Sequence, residues 1–189
     1  MKMIVDAGDF FAVMVAQGKD KYRGYLNCVR VERTADPDKV RLVATNGHFL
    51  FHCITSADLS DDWPEAVSVK VDKKLAGTRL TIDLAKGVAE TFKGKVLAER
   101  VNEDDAMYPD WRRVVPQGQK PLIETQIYAN AAYVLLVSEF LFLTKTTPTP
   151  VFYGDGPCDP MVAARGNRIA VLMPHRKGEN DPQTLDVVL

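Results

Sequence analysis

The sequence predicts an α+β protein whose antiparallel sheets carry helices on one face. Stretches rich in β-forming residues outnumber helical ones, and turn signals separate each stretch from the next. The helices are too few to cross over between so many strands, as a parallel sheet would require. The 189 residues, 46% hydrophobic and 26% charged, are typical of a globular protein with a real core.

The first part of the chain begins with a predicted helix over residues 9–17. Phe10 and Met14 lie at i,i+4 spacing there, and Gly18 is a natural stop. The dipeptide Asn46-Gly47 predicts a tight hairpin between two strands. Alternation and turn residues predict strands at 25–33, 40–45, 49–54, 67–71, 80–84, 88–92 and 96–101.

A change in composition predicts a boundary after an acidic stretch at 103–105 and a cluster of proline, glycine and glutamine over 116–121. The predicted units are residues 1–117 and 118–176, with a tail over 177–189. In the second unit we expect a helix from Asn130 to about residue 143, whose apolar residues surround nearly its whole circumference, so that it is buried on more than one side. The expected strands of this unit are 124–128, 151–153, 161–164 and 168–173, with a turn at 165–167.

Charge and composition limit the kinds of partner. A formal net charge of −1 disfavours a nucleic-acid binder that relies on bulk positive charge, although it leaves room for a local basic patch. The most apolar run, 131–143, is too short to span a membrane, and the N-terminal residues lack the pattern of a secretory signal. The three cysteines are far apart and form no CxxC pair. We therefore expect a cytoplasmic protein without membrane contact, whose cysteines are buried, reduced thiols.

The sequence offers little for catalysis. His48 and His52 are four residues apart on a predicted strand, without the HExxH pattern of a helical zinc site. The acidic stretch 103–105 could bind a metal, but such loops are usually just solvated. Glycine-rich phosphate loops and a GxSxG motif are absent from the sequence. We expect no enzyme activity, no cofactor and no metal site; a small hydrolase using His48 and His52 is the remaining catalytic alternative.

Five segments carry a family resemblance, and they occur in the family's order. They are RGYLNCVRVE (23–32), VATNGHFL (43–50), YPDWRRVVP (108–116), NAAYVL (130–135) and VLMPHR (171–176). The chain resembles the bacterial DNA polymerase III beta subunit, the sliding clamp, in which the similar segments read RYYLNG, VATDGHRL, FPDYRRVLP, NVSYVL and VVMPMRL. This resemblance, over about residues 9–176, implies the DNA-clamp (processivity) fold.

The resemblance also implies a site. In the family, the matching residues line an apolar pocket for short peptides of polymerases and repair proteins. Carried over, they are Leu26, Thr45, Gly47, His48, Leu50, Pro109, Arg113, Val114, Val171, Met173 and Pro174. Asn46 stands where the family has aspartate, Phe49 where it has arginine and His175 where it has methionine. The bland alternative is that these residues are turn and core elements.

Contact with DNA is implied at the loop after the first helix. There Lys19, Lys21, Arg23 and Tyr25 match the neighbourhood that meets DNA in the family. Such cations would bind phosphates without reading sequence, as suits a sliding protein. The alternative is an ordinary solvated loop.

The resemblance thus implies a non-catalytic sliding-clamp-like protein of DNA replication or repair that associates with duplex DNA and docks polymerase-type peptides. The alternative is a clamp-fold interaction or decoy module that does not encircle DNA. A family clamp chain has three domains of two similar units, whereas this sequence matches about three units, one of them lacking its helix between residues 71 and 78. Four copies would restore the unit count of a ring, so we expect a homo-oligomer, and a compact variant fits a phage or prophage. The tail Gln183–Leu189 resembles clamp-binding peptides, which suggests docking in the pocket of a neighbouring copy or of a cellular clamp.

Overall fold

The computed structural model describes residues 1–101, 108–116, 129–142, 150–154 and 159–174. These residues form two α-helices and ten strands. The helices are α1 (Ala7–Met14) and α2 (Ala131–Phe142). The strands are β1 (Lys2–Asp6), β2 (Val29–Arg33), β3 (Lys39–Thr45), β4 (Phe49–Leu59), β5 (Ala66–Val71), β6 (Arg79–Asp83), β7 (Val88–Thr91), β8 (Gly94–Val101), β9 (Met161–Arg165) and β10 (Arg168–Leu172).

Eight of the strands form a closed sheet in the order β1-β6-β7-β8-β5-β2-β3-β4, in which β4 also pairs with β1. Every pairing is antiparallel. The 11-residue β4 makes the closure possible, because its second half pairs with β1 while its first half pairs with β10. The hairpin β9–β10 thus extends the sheet beside β4, although its residues come from the second predicted unit. The boundary at residue 117 stays a prediction.

The main core lies on the sheet face that packs against α1 and α2, which we call the inner face. Phe10, Phe11 and Phe51 are almost fully buried there, and Phe51 stacks on Phe140 of α2 with ring centroids 4.2 Å apart. Burial of this apolar surface is the main source of stability. Each helix begins at a side-chain cap: Asp6 Oδ1 accepts from the Asp9 amide (2.8 Å), and Asn130 Oδ1 accepts from the Ala132 amide (2.9 Å).

A smaller cluster lies on the opposite face, which we call the outer face. Successive strand residues point to opposite faces, so Val43, Leu50 and Val171 face outward while their neighbours join the main core. Tyr108 and Trp111 cover them. The segment 108–116 that carries these aromatics includes a short 3₁₀ turn at Trp111–Val114. The sheet is therefore covered by helices on one face and by a short segment on the other.

The structure confirms the antiparallel α+β class, the Asn46-Gly47 hairpin, the Asn130 cap and the absence of a helix over residues 72–78. It corrects the first helix, which begins at Ala7 and ends at Met14, and it adds β1, which was not predicted. Residues 24–26 form a 3₁₀ turn, so β2 begins only at Val29. In α2, an exposed stripe includes Leu135 and Glu139.

Three predicted features, the strand 124–128, the acidic stretch 103–105 and the tail 177–189, lie outside the described residues. Neither α1 nor α2 has the length and apolarity needed to cross a bilayer, and the described residues contain no other α-helix.

Candidate functional site

Four parts of the chain meet around one cavity on the outer face. They are the turn between β3 and β4, the 3₁₀ turn Gly24–Leu26, the segment 108–116 and the end of β10. The cavity has a volume of about 180 Å³. It is lined by Arg23, Tyr25, Leu26, Thr45, Gly47, Phe49, Leu50, Pro109, Asp110, Trp111, Val114, Val171 and Met173. Among the described residues the lining is mostly apolar, and its charged members there are Arg23 and Asp110.

The β3–β4 turn is fixed by its own side chains. The Thr45 hydroxyl donates to the Phe49 carbonyl (2.8 Å) and accepts from the Gly47 amide (3.1 Å). Asn46 Oδ1 accepts from the amides of His48 (2.9 Å) and Phe49 (3.1 Å). Gly47 has φ of +89°, a left-handed conformation that glycine adopts without strain. The asparagine in place of the family's aspartate thus still closes the turn.

Tyr108 anchors one end of the segment 108–116. Its ring packs in the outer cluster with Cys28, Leu50 and Val171, and its hydroxyl donates to the Val43 carbonyl (3.3 Å). Burial raises the pKa of the Tyr108 phenol, so the hydroxyl stays a neutral donor. The anchor therefore combines apolar burial with one hydrogen bond to a strand.

Trp111 and Arg112 anchor the other end through Glu32 of β2. The Trp111 indole N–H donates to Glu32 Oε1 (3.2 Å), and Arg112 donates to Oε2 (2.6 Å), which also accepts from Arg41 (3.3 Å). Burial raises the pKa of Glu32, but hydrogen bonds from Arg112 and Trp111 outweigh it and lower the pKa overall. Glu32 is thus an ionised acceptor that both the segment 108–116 and the strand β3 share.

His52 completes the network as a neutral acceptor. Arg41 Nε donates to His52 Nε2 (3.1 Å), and the imidazole lies 5.1 Å from the Trp111 ring between centroids. Burial, reinforced by the positive charge of Arg41, lowers the pKa of His52 to about 4. With Nε2 accepting from Arg41, the imidazole of His52 lies between that guanidinium and the Trp111 ring.

Eight of the eleven residues predicted for the peptide pocket line this cavity. They are Leu26, Thr45, Gly47, Leu50, Pro109, Val114, Val171 and Met173. The cavity lining does not include His48, Arg113 or Pro174. The His48 ring instead stacks on Tyr133 of α2, with centroids 5.8 Å apart, and its carbonyl accepts from the Met173 amide (2.9 Å). His48 therefore supports the rim through its backbone.

The four residues predicted to contact DNA separate into two pairs. Arg23 and Tyr25 line the cavity, and Arg23 Nε also donates to Asp20 Oδ2 (2.7 Å). Lys19 and Lys21 lie on the exposed loop after α1.

Sequence reasoning missed Phe49, Asp110 and Trp111 as cavity residues. Asp110 and Trp111 lie inside the YPDWRR motif, between Pro109 and Arg113, which were both predicted. For Trp111 the signal was available, because an aromatic residue two positions after Pro109, in a motif assigned to an apolar pocket, is itself a candidate for the pocket wall.

No family model and no curated protein matches the sequence. Solved structures do match, and they include bacterial sliding clamps. The DnaN sliding clamp (DNA polymerase III subunit beta) of Bartonella birtlesii, bound to griselimycin, matches with a TM-score of 0.67 at 17% identity. The sliding clamp of Pseudomonas aeruginosa matches with a TM-score of 0.65 at 16% identity, and the Helicobacter pylori beta clamp, bound to a DNA ligase peptide, with 0.68 at 12%.

These matches cover 93%, 94% and 93% of this chain but 66%, 67% and 66% of the respective clamps. The chain thus spans about two thirds of the length of the clamps it matches. It has the fold of the bacterial sliding clamp.

Proposed function

We propose that the chain is a cytoplasmic, non-catalytic, clamp-like docking protein of DNA replication or repair that binds a short apolar peptide of a replication protein in the cavity. The observation that carries this proposal is that eight of the eleven residues that the resemblance assigns to one pocket line a single apolar cavity. Two of the similar clamps hold ligands, griselimycin in one and a DNA ligase peptide in the other.

The chemistry of the cavity suits such a ligand. A space of about 180 Å³ is enough for one large apolar side chain, since a cavity of about 150 Å³ holds a benzene molecule. Met173 supplies a flexible, polarisable wall that adapts to different side chains. Arg23 and Asp110, both exposed at the rim, give opposite charges that can orient a peptide.

Fluorescence polarisation tests the proposal on the full chain. The probes are a labelled DNA ligase peptide, of the kind that the Helicobacter pylori clamp holds, and a labelled copy of residues 183–189. We expect saturable binding of at least one probe and a loss of about tenfold or more in Met173→Ala, because a buried apolar contact is removed. Leu97→Ala, which truncates an exposed leucine on β8, is the matched control and should bind normally.

Failure of both probes to saturate at millimolar concentration would contradict peptide docking. Equal losses in Met173→Ala and Leu97→Ala would place binding elsewhere on the surface. Removal of residues 183–189 from the chain is a separate test of the tail: docking of the tail predicts tighter binding of the labelled copy when its competitor is gone.

One observation favours the second candidate, a clamp-fold docking module that does not encircle DNA. Neither α1 (AGDFFAVM) nor α2 (AAYVLLVSEFLF) contains a lysine or arginine, and their charged residues are Asp9 and Glu139. Binding of duplex DNA depends on cations that neutralise phosphates. The described α-helices supply no such cations. DNA association would therefore depend on loop residues such as Lys19 and Lys21.

The two candidates differ in assembly and in DNA retention. An encircling homo-oligomer should form a particle with a central hole, visible by electron microscopy, and should stay on closed circular DNA but slide off linear DNA. Lys19→Glu with Lys21→Glu should then weaken loading. A monomer or dimer that binds a peptide but is not retained on circular DNA would establish the docking module instead.

A further inference from the structure

The wall of the cavity formed by the segment 108–114 is held by a residue that does not line the cavity. Trp111 lies in the lining, while its indole N–H donates to Glu32 Oε1 at 3.2 Å. Arg112, the next residue, donates to the other carboxylate oxygen at 2.6 Å. We propose that Glu32 is a positioning residue for the ligand cavity, which fixes the Trp111 wall and thereby sets the affinity for an apolar ligand; the second half of this inference rests on the proposed function.

The charges around Glu32 explain how its carboxylate holds the Trp111 wall in place. We call this set of contacts between Glu32, Trp111 and Arg112 the latch. Its carboxylate, with a side chain 12% exposed, faces Arg112 at 2.6 Å, Arg41 at 3.3 Å and Arg30 at 3.9 Å. Three guanidinium groups thus share one carboxylate. If the carboxylate charge is removed, these cations repel one another, and Arg112, whose side chain is 53% exposed, is the one that can move into solvent. Trp111 then loses the support of the neighbouring Arg112 contact, and its indole N–H has only one uncharged acceptor oxygen left at this position.

The latch is largely separate from the anchor at Tyr108. Tyr108 is held by apolar burial and by its hydrogen bond to Val43. Arg30 links the two anchors, because its guanidinium lies 5.7 Å from the Tyr108 ring centroid and 3.9 Å from Glu32 Oε1. Loss of Glu32 should therefore release the wall at Trp111 while the segment stays attached at Tyr108. The expected change is local, which distinguishes positioning from a general contribution to folding.

The two tryptophans allow a direct test by ¹⁹F NMR of the full chain labelled with 5-fluorotryptophan. Trp63, buried in the main core, serves as the internal reference, and Trp111→Phe assigns the signals. We expect Glu32→Gln to shift the Trp111 signal alone and to lower affinity for the labelled peptides about tenfold. Glu99→Gln is the matched control, because it removes an equal charge from the exposed Lys70 pair (2.7 Å) on the same sheet and should change neither signal nor affinity.

Two further variants separate the latch from simple loss of charge. Glu32→Asp keeps the carboxylate and should recover part of the affinity. Arg112→Gln should be nearly silent in the Glu32→Gln background although it weakens binding alone, since both changes break the same contact. If Glu32→Gln also disturbs the Trp63 signal, Arg112→Gln on the exposed side of the contact takes its place as the test variant.

The outcomes distinguish this inference from the proposed function. If the native chain binds the probes and Glu32→Gln binds them equally well, the positioning role is wrong while peptide docking stands. If the native chain binds neither probe, the docking proposal fails, and an unchanged Trp111 signal in Glu32→Gln would overturn the latch as well. A shifted Trp111 signal in that case would retain Glu32 as the residue that holds the wall.

Discussion

The inner and outer faces of the sheet are covered in different ways. Two helices cover the inner face with a continuous apolar core, whereas the short segment 108–116 covers the outer face through two anchors, Tyr108 and Trp111. The larger of the two buried clusters lies on the inner face and includes Phe10, Phe11 and Phe51. The outer face keeps a cavity of about 180 Å³ beside its anchors. A ligand can therefore bind at the outer face without opening the main core.

The largest expected effect is on the inner face. Phe51→Ala should lower the free energy of unfolding by about 3–5 kcal/mol, because it removes a ring stacked on Phe140 and leaves a cavity. Val114→Ala on the outer face should cost about 1 kcal/mol or less, since Val114 is only partly buried beside an existing cavity. Urea unfolding of both variants measures the difference. Equal losses would mean that the two faces contribute alike.

The second prediction compares the ion pairs of the two faces. Arg168 pairs with Asp9 and donates to the Phe140 carbonyl (2.6 Å), with a side chain only 6% exposed. Arg168→Gln should therefore cost about 3 kcal/mol, because Asp9 is left as a buried charge without its partner. Arg112→Gln should cost about 1 kcal/mol or less, because Arg112 is 53% exposed and solvent screens its pair with Glu32.

Urea unfolding again gives the measurement for these two variants. Asp9→Asn with Arg168→Gln is the matched control: if the cost of Arg168→Gln is the unpaired carboxylate, the double variant should recover part of the lost stability. The interpretation would be contradicted if the double variant loses more free energy of unfolding than the two single variants lose together.

The third prediction concerns acid pH and the outer face. The pKa of His52 is lowered from 6.5 to about 4 in the folded chain, chiefly by burial, so the unfolded state binds more protons between these values. The contribution of neutral His52 to the free energy of unfolding should therefore be complete above about pH 6.5. The free energy of unfolding should fall by about 2–3 kcal/mol as the pH drops to 4. Glu32, whose pKa is lowered below its ordinary 4.5, begins to lose its own contribution as the pH falls below about 4.5, so the His52 effect is read above that value.

Urea unfolding across pH 5–7 measures the part of this slope that belongs to His52. His52→Gln removes the titrating group and should flatten the curve in this window. A slope that survives in His52→Gln would assign the effect to other groups.

The inner face was the easier one to predict from sequence, although β1 was missed. The alternation Val67-Val69-Val71 is a local signal, and these three side chains lie on β5 and join the main core as the pattern predicts. The closure of the sheet through β4 could not be predicted, because it depends on which strand each half of β4 meets.

Most residues of the candidate site were predicted from the sequence, but the contacts that hold them in place were not. Pro109 and Val114 could be placed by resemblance alone, and both line the cavity. The contact of Trp111 with Glu32 joins residues 79 positions apart, and neither local pattern nor spacing reveals such a pair. Long-range polar contacts of this kind are the part of a site that only the fold brings together.

The smallest expected effect separates the residues that line the cavity from one that was predicted to line it. The His48 ring stacks on Tyr133 of α2, and only its backbone carbonyl reaches the rim, where it accepts from the Met173 amide. Because His48→Ala keeps that carbonyl, we expect peptide affinity within about twofold of native and a loss of stability below about 0.5 kcal/mol. Fluorescence polarisation and urea unfolding, with Met173→Ala as the contrasting variant, measure both quantities. A loss of affinity in His48→Ala as large as that in Met173→Ala would mean that the ligand extends past the rim onto α2, and the boundary between the two faces would then not limit the site.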